Sequence, residues 1–303
     1  MKPLALVAGF LGSGKTTLLR GILEQNRHRR LLFLINEFAA DEVDATLLTE
    51  AGGVTRAVAG GSVFCNCRAD AFKDVLIEAA AMPELDGVVV EASGMAEPRA
   101  MGRILSDPRL ADAYTVTALV AVVDPLTFPK LRYTLPATEG QVSGADLVII
   151  NKTDLASPPT VAKLHKELGE LNPEARICET VYSKCDFDPV IPLRKGGLGT
   201  ETPLTNAGDR SFASLLVRQK APVDLGELQN ALQDLSGMVF RVKGWLVTPD
   251  KGRLFVEQDV PGHDVRHSAA SEGPGRLAII VKANARQAAE NRLSRISGLS
   301  FSE

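Results

Sequence analysis

The sequence predicts a three-layer α/β domain with a mostly parallel sheet, followed by a small α+β domain. Three observations carry that prediction: short apolar runs alternating with helical segments, a glycine-rich loop between the first run and the first helix, and a change of composition after residue 185. The runs 4–8, 31–35, 87–90, 116–123 and 147–150 are rich in Val, Ile and Leu, and most lack polar alternation. Strands covered on both faces of a parallel sheet read this way, because neither face meets water. Helical segments are expected at 15–25, 70–81, 98–105 and 159–170, and a further strand at 175–181. Such alternation builds βαβ units with right-handed crossovers.

Residues 186–210 are loose in composition, holding Pro189, Pro192, Gly196, Gly197, Gly199, Pro203 and Gly208. They read as a linker between a first domain at 1–185 and a second at 211–303. In the second, 225–235 is expected as a helix, 239–247, 253–258 and 277–281 as strands, and 285–297 as a closing helix.

Composition narrows the classes of function. The chain has 303 residues, 45% hydrophobic and 23% charged, which is ample material for a core. Its 34 basic and 37 acidic side chains give a net charge of -3, so no positive excess exists to neutralise nucleic-acid phosphates. Four cysteines, Cys65, Cys67, Cys178 and Cys185, are too sparse for a disulfide-stapled secreted fold. No apolar stretch approaches the ~20 residues of a membrane span, and no signal peptide is readable. A soluble, cytoplasmic protein is expected.

The segment Gly9-Phe-Leu-Gly-Ser-Gly-Lys-Thr16 matches G-x-x-x-x-G-K-[ST] between a buried strand and a helix, the context that a phosphate-binding P-loop requires. Gly9, Gly12 and Gly14, with Ser13 among them, let the backbone wrap phosphate oxygens and turn successive N–H groups inward. The helix that follows adds its positive N-terminal end. Lys15 is expected at the β- and γ-phosphates and the Thr16 hydroxyl on Mg2+, with Thr17 completing the nucleotide loop.

Asn151-Lys-Thr-Asp154 follows the run 147–150 and is the guanine-reading sequence of GTPases. A carboxylate at Asp154 can accept from both the N1–H and the exocyclic amine of guanine. Adenine offers neither in that arrangement, and a site built for those bonds rejects it because its polar groups stay unpaired. The Lys152 stem can lie along the ring face. Ser183 and Lys184, after the next strand, stand where a loop can close over the base; a solvated loop is the other reading of these two. Glu91 ends the run 87–90 and opens Glu-Ala-Ser-Gly-Met-Ala-Glu-Pro98. An acid there can hold Mg2+ through water, or merely end a strand. Gly94 can give its N–H to the γ-phosphate and hinge when that phosphate leaves.

At this point the sequence resembles the CobW-type family of metal-linked P-loop GTPases, relatives of the nickel-insertion GTPases for hydrogenase and urease. The resemblance runs through residues 9–17, Ile35-Asn-Glu-Phe38, Glu91-Ala-Ser-Gly94 with Pro98, Val122-Val-Asp124, Ala145-Asp146, Asn151–Asp154 and Phe240-Arg-Val-Lys-Gly-Trp245. It implies hydrolysis of GTP to GDP and phosphate, coupled to delivery of zinc or cobalt by a metallochaperone. The alternative it implies is a GTP-driven conformational partner of a corrinoid- or metal-dependent enzyme, with no metal cargo of its own. GTP, Mg2+ and Zn2+ or Co2+ are the ligands implied, a client metalloprotein or corrinoid enzyme the partner, and a homodimer an admissible working form.

The family's metal motif, Cys-x-Cys-Cys after a glycine pair, is altered in Gly60-Gly-Ser-Val-Phe-Cys-Asn-Cys-Arg68. Ser62 and Phe64 stand where the first two cysteines would be, Cys65 stands at the third, and Cys67 is an additional thiol. Two thiolates at this spacing can hold a soft or borderline ion, with Glu37 and Glu42 as oxygen donors. Remnants without a metal role are the other reading. His263 and His267 read as a solvated turn, and Cys178 and Cys185 as ordinary strand and loop residues. No glutamine directly follows Gly94, which predicts slow intrinsic turnover.

Overall fold

A computed structural model describes residues 1–37, 54–59, 69–92, 94, 96–110, 112–132, 136–194, 196–203, 212–258, 266–270 and 275–301. They form two compact units, one within residues 1–208 and the other within 209–303. In chain order the first holds β1 (Lys2–Ala8), α1 (Lys15–Gln25), β2 (Leu31–Glu37), β3 (Val54–Ala59), α2 (Ala69–Ala80) and β4 (Gly87–Glu91). A 3-10 turn at Pro98–Ala100 then leads into α3 (Met101–Leu105), followed by β5 (Tyr114–Val123), α4 (Phe128–Leu131), α5 (Pro136–Ser143), β6 (Leu147–Ile150), α6 (Pro158–Leu171) and β7 (Arg176–Glu179).

The seven strands lie in the order β3-β2-β4-β1-β5-β6-β7, and every pairing is parallel. Period-two alternation explains why β1 reads as one apolar run. Leu4 and Leu6 pack with Phe72 and Leu76 of α2 on one face, whereas Ala5 and Val7 pack with Leu18 and Ile22 of α1 on the other. Burying each such large side chain contributes roughly 1.5–3 kcal/mol. Because all strands run one way, their carboxyl ends share one edge, in register as Val7↔Glu91, Val123↔Ile150 and Ile150↔Glu179. Ligands in such sheets bind along that edge, where the strand order reverses.

The segment expected as a linker is packed against this unit as far as Leu198. Phe187 is buried in the α1-side core. The Leu193 and Arg194 N–H groups donate to the Thr117 carbonyl at 2.8 and 3.0 Å, the Thr117 hydroxyl donates to the Pro189 carbonyl at 2.6 Å, and Leu198 packs on the α2 side. It forms a strap along β5, anchored by Phe187, Val190 and Leu198, while Ile191 and Leu193 stay exposed.

The second unit holds β8 (Phe212–Gln219), α7 (Leu225–Asp234), β9 (Val239–Thr248), β10 (Gly252–Gln258), β11 (Arg266–Ala269), β12 (Arg276–Lys282), α8 (Arg286–Leu293) and β13 (Leu299–Phe301). Its sheet runs β11-β10-β9-β12-β8-β13. Leu228 and Leu232 of α7 and Leu293 of α8 pack on Val217, Val242 and Ile279. Gly244 has φ 151, and a Cβ there would collide with the Arg276 carbonyl of the paired strand. His267 is an exposed residue of β11, 3.4 Å from the Lys251 ammonium, and not part of a turn; His263 lies outside the described residues. Among the described residues no helix is long and apolar enough to cross a membrane.

Candidate nucleotide site

The loop after β1 is built from backbone that side chains resist. Gly9, Gly12 and Gly14 have φ of 148, 75 and 111, and residues with a Cβ avoid this left-handed region. Space is closed too. A Cβ on Gly9 would strike the Val122 carbonyl, and one on Gly14 would strike the Asn151 side-chain amide and lie 2.9 Å from Ser183 Oγ. The P-loop is therefore wedged between the end of β5 and the loops after β6 and β7. Ser13 is buried with its hydroxyl unbonded, an orphan donor that a phosphate oxygen can satisfy. No acid sits in the first turn of α1, so nothing competes with an anion for the helix end.

Lys15 and Glu91 are only 5% and 6% exposed, with Lys15 Nζ 3.7 Å from Glu91 Oε1. The ammonium also donates to the carbonyls of Gly9 and Phe10 at 2.9 and 3.3 Å. It is held inside the loop on oxygens that phosphate oxygens can replace. Thr16 is half-buried and Thr17 exposed. Thr16 and Glu91 offer only oxygen donors, the ligand type that Mg2+ takes. Gly94 follows β4 so closely that a Cβ would lie 3.0 Å from the Leu11 backbone nitrogen. The Gln141 amide of α5 donates to the Gly94 and Ala96 carbonyls at 3.2 and 3.0 Å. That brace had no local signal in the sequence.

Asn151 is 2% exposed and joins three loops. Its Nδ2 donates to the Ser13 carbonyl at 2.9 Å. Its Oδ1 accepts the Ser183 N–H at 2.7 Å and the Thr180 hydroxyl at 3.3 Å. The Ser183 hydroxyl in turn donates to the Gly14 carbonyl at 3.1 Å. Ser183 is thus buried and bonded to the P-loop and to Asn151 rather than solvated. Lys184 is exposed.

Lys152, Tyr182 and Ser183 have φ of 60, 55 and 52, strain of about 1–3 kcal/mol each that surrounding bonds must hold. Backbone bonds flank Lys152, from Leu155 N–H to its carbonyl at 3.0 Å and from Thr153 N–H to the Thr180 carbonyl at 3.2 Å, and its ammonium lies 3.2 Å from Asp124 Oδ2. Asp124 is buried at the end of β5 and also accepts the Leu126 N–H at 2.8 Å. Asp154 is exposed, free to meet a base edge. Asp146 serves the scaffold: it accepts the Leu119 N–H at 2.7 Å and pairs with Arg194 at 3.1 Å.

Cys65, Cys67 and Glu42 lie outside the described residues, and Glu37 is described only as the backbone that closes β2. Among the described residues no cluster of three or more metal-ligating side chains occurs.

Comparison with known proteins agrees with this geometry. The profile described as CobW/HypB/UreG, nucleotide-binding domain, matches residues 3–179. That described as the cobalamin synthesis protein cobW C-terminal domain matches 212–297. The zinc chaperone YjiA of Escherichia coli is 27% identical over 279 residues, covering 85% of this chain and 86% of that protein. The zinc chaperone CobW of Pseudomonas aeruginosa is 28% identical over 312 residues, covering 88% and 82%. The zinc-regulated GTPase metalloprotein activator 1 of Schizosaccharomyces pombe is 29% identical over 192 residues, covering 61% and 47%. With a P-loop, a strand-end acid and a base-side loop on one sheet edge, and both profiles matched in order, the chain belongs to the CobW/HypB/UreG family of P-loop GTPases.

Proposed function

We propose that this chain hydrolyses GTP and uses the cycle to carry zinc to a client metalloprotein. The observation that carries the nucleotide half is the Asn151 brace, which holds the P-loop and both base-side loops in one arrangement. Gly9, Gly12, Ser13, Gly14 and Thr17 line the phosphate path. Lys15 moves from the Gly9 and Phe10 carbonyls onto the phosphate oxygens and neutralises charge that develops there. Asp154 accepts from guanine, and Lys152, steadied by Asp124, covers the ring. Thr16 and Glu91 hold Mg2+, which supplies charge neutralisation at the β- and γ-phosphates. Gly94, pressed on Leu11, reports the γ-phosphate to the segment that follows it.

Zinc is cargo in this scheme, held by Cys65 and Cys67 with Glu37 and Glu42. The names of the bacterial relatives, both zinc chaperones, support that half. The test is zinc content and affinity of the purified protein, with and without a non-hydrolysable GTP analogue. Near-stoichiometric zinc that disappears in Cys65→Ala/Cys67→Ala is expected; unchanged affinity in that variant would overturn the cargo role. The altered cysteine motif favours a second reading, an activator that binds its client without metal, and the name of the yeast relative fits it. Nucleotide-dependent client binding by the double variant would select it. The setting proposed for either is the cytoplasm, where Cys65 and Cys67 stay reduced. A homodimer as the working form is tested by mass in solution with each nucleotide.

A further inference from the structure

Cys178 and Cys185, read from sequence as ordinary strand and loop residues, have their Sγ atoms 3.2 Å apart. Both are free thiols. Cys185 is 5% exposed in the α1-side core beside Phe187, and half-buried Cys178 on β7 packs against the same cluster. Between them runs the loop 179–184, which carries the two left-handed residues Tyr182 and Ser183 and the bonds from Ser183 to Asn151 and Gly14.

We propose that Cys178 and Cys185 form a modification site, a reversible intramolecular disulfide that clamps the base-side loop 179–184. The disulfide length of about 2.05 Å requires the sulfurs to close by only about 1.2 Å. Burial, with contact from Cys178 adding to it, pushes the Cys185 thiol up to about 12. Burial thus disfavours the Cys185 thiolate, whereas a disulfide has no charged form for the core to penalise. Cys178, the more accessible sulfur on an edge strand, reacts first.

The co-reactant is a low-molecular-weight disulfide, RSSR. The Cys178 thiol loses its proton and attacks one sulfur, breaking the S–S bond; the departing thiolate takes up a proton as RSH. Cys185 then loses its proton and attacks Cys178 Sγ, expelling the second RSH. Two protein thiols are oxidised and one RSSR is reduced to two RSH. The crosslink stands independently of the nucleotide reading, whereas its effect on nucleotide exchange rests on it.

The experiment uses the full chain carrying Cys65→Ser and Cys67→Ser, so that only this pair remains, treated with excess oxidised glutathione. A mass lower by two hydrogens, a peptide joining Cys178 to Cys185, and reversal by dithiothreitol are expected. Cys185→Ser is expected to stop at a glutathione adduct on Cys178, and Cys178→Ser to take no adduct. Unreacted thiols, or a stable adduct in the chain that retains both cysteines, would overturn the site. Release of a fluorescent GDP analogue is expected to slow about threefold to tenfold on oxidation and recover on reduction. Unchanged release from the crosslinked chain would overturn the clamp, and a reduced chain that binds no GDP would instead overturn the nucleotide reading.

Discussion

The side-chain carbonyl of Asn151 accepts the Ser183 N–H at 2.7 Å, tying the loop after β6 to the loop after β7. The same side chain reaches the Ser13 carbonyl. Asn151→Ala strands the Ser13 carbonyl and the Ser183 N–H in a buried setting and also removes the acceptor of the Thr180 hydroxyl, and each stranded group costs about 1–3 kcal/mol. We expect urea unfolding to show a loss of about 2–4 kcal/mol and GTP affinity to fall by more than tenfold. Wild-type affinity in a correctly folded variant would refute the bracing role.

Asp154 is exposed, so replacing it leaves the fold intact. Asp154→Asn exchanges one acceptor for a donor. It then mismatches the exocyclic amine of guanine and matches the carbonyl that xanthine carries at that position. GTP affinity is expected to drop about a hundredfold or more, with XTP affinity rising in competition binding. Equal losses for both nucleotides would show that Asp154 does not meet the base edge.

Asp124 Oδ2 lies 3.2 Å from the Lys152 ammonium, and in the proposed site it positions that lysine. Asp124→Asn keeps the volume and removes the charge, releasing the lysine stem from the ring face. The KM for GTP is expected to rise about threefold to tenfold, about 1 kcal/mol of lost binding, with kcat nearly unchanged. A fall in kcat at constant KM would contradict the positioning role.

Burial holds the Tyr114 phenol above its ordinary range, and its O–H donates to the Leu76 carbonyl at 2.5 Å. The folded state thus favours the protonated phenol. Its contribution is complete below the unfolded value of about 10 and is lost as pH rises beyond it. Tyr114→Phe is expected to cost about 1 kcal/mol at neutral pH and to flatten the alkaline decline of stability. An equally steep decline in the variant would assign it to other groups.

Elements with a strong local pattern were legible in the sequence. Helix α1 falls at 15–25 as expected, because its capping glycine and apolar stripe are contiguous. Strands β1, β4, β5 and β6 match their apolar runs within a few residues. By contrast, α5 carries Pro, Gly and Ser with no apolar stripe, and β3 lies at a sheet edge with Val54 exposed. Neither announces itself. The same division holds at the site. Lys15, Glu91, Asp124 and Asp154 belong to short motifs, whereas the Asp124–Lys152 pair, Gln141 and the bracing role of Asn151 emerge only when residues far apart in sequence meet. At 186–198 turn-forming residues mark irregular backbone, and they do so whether or not that backbone is packed.

Strand β7 closes one edge of the first sheet, with β6 as its neighbour. Edge strands open at lower free energy than central ones. The loop bearing Ser183 is thus expected to hang from a strand that opens more readily than β1 and β4. Amide deuterium uptake should consequently differ along the sheet, fast in β7 and slow at its centre. A bound guanine would appear as protection spreading inward from that edge.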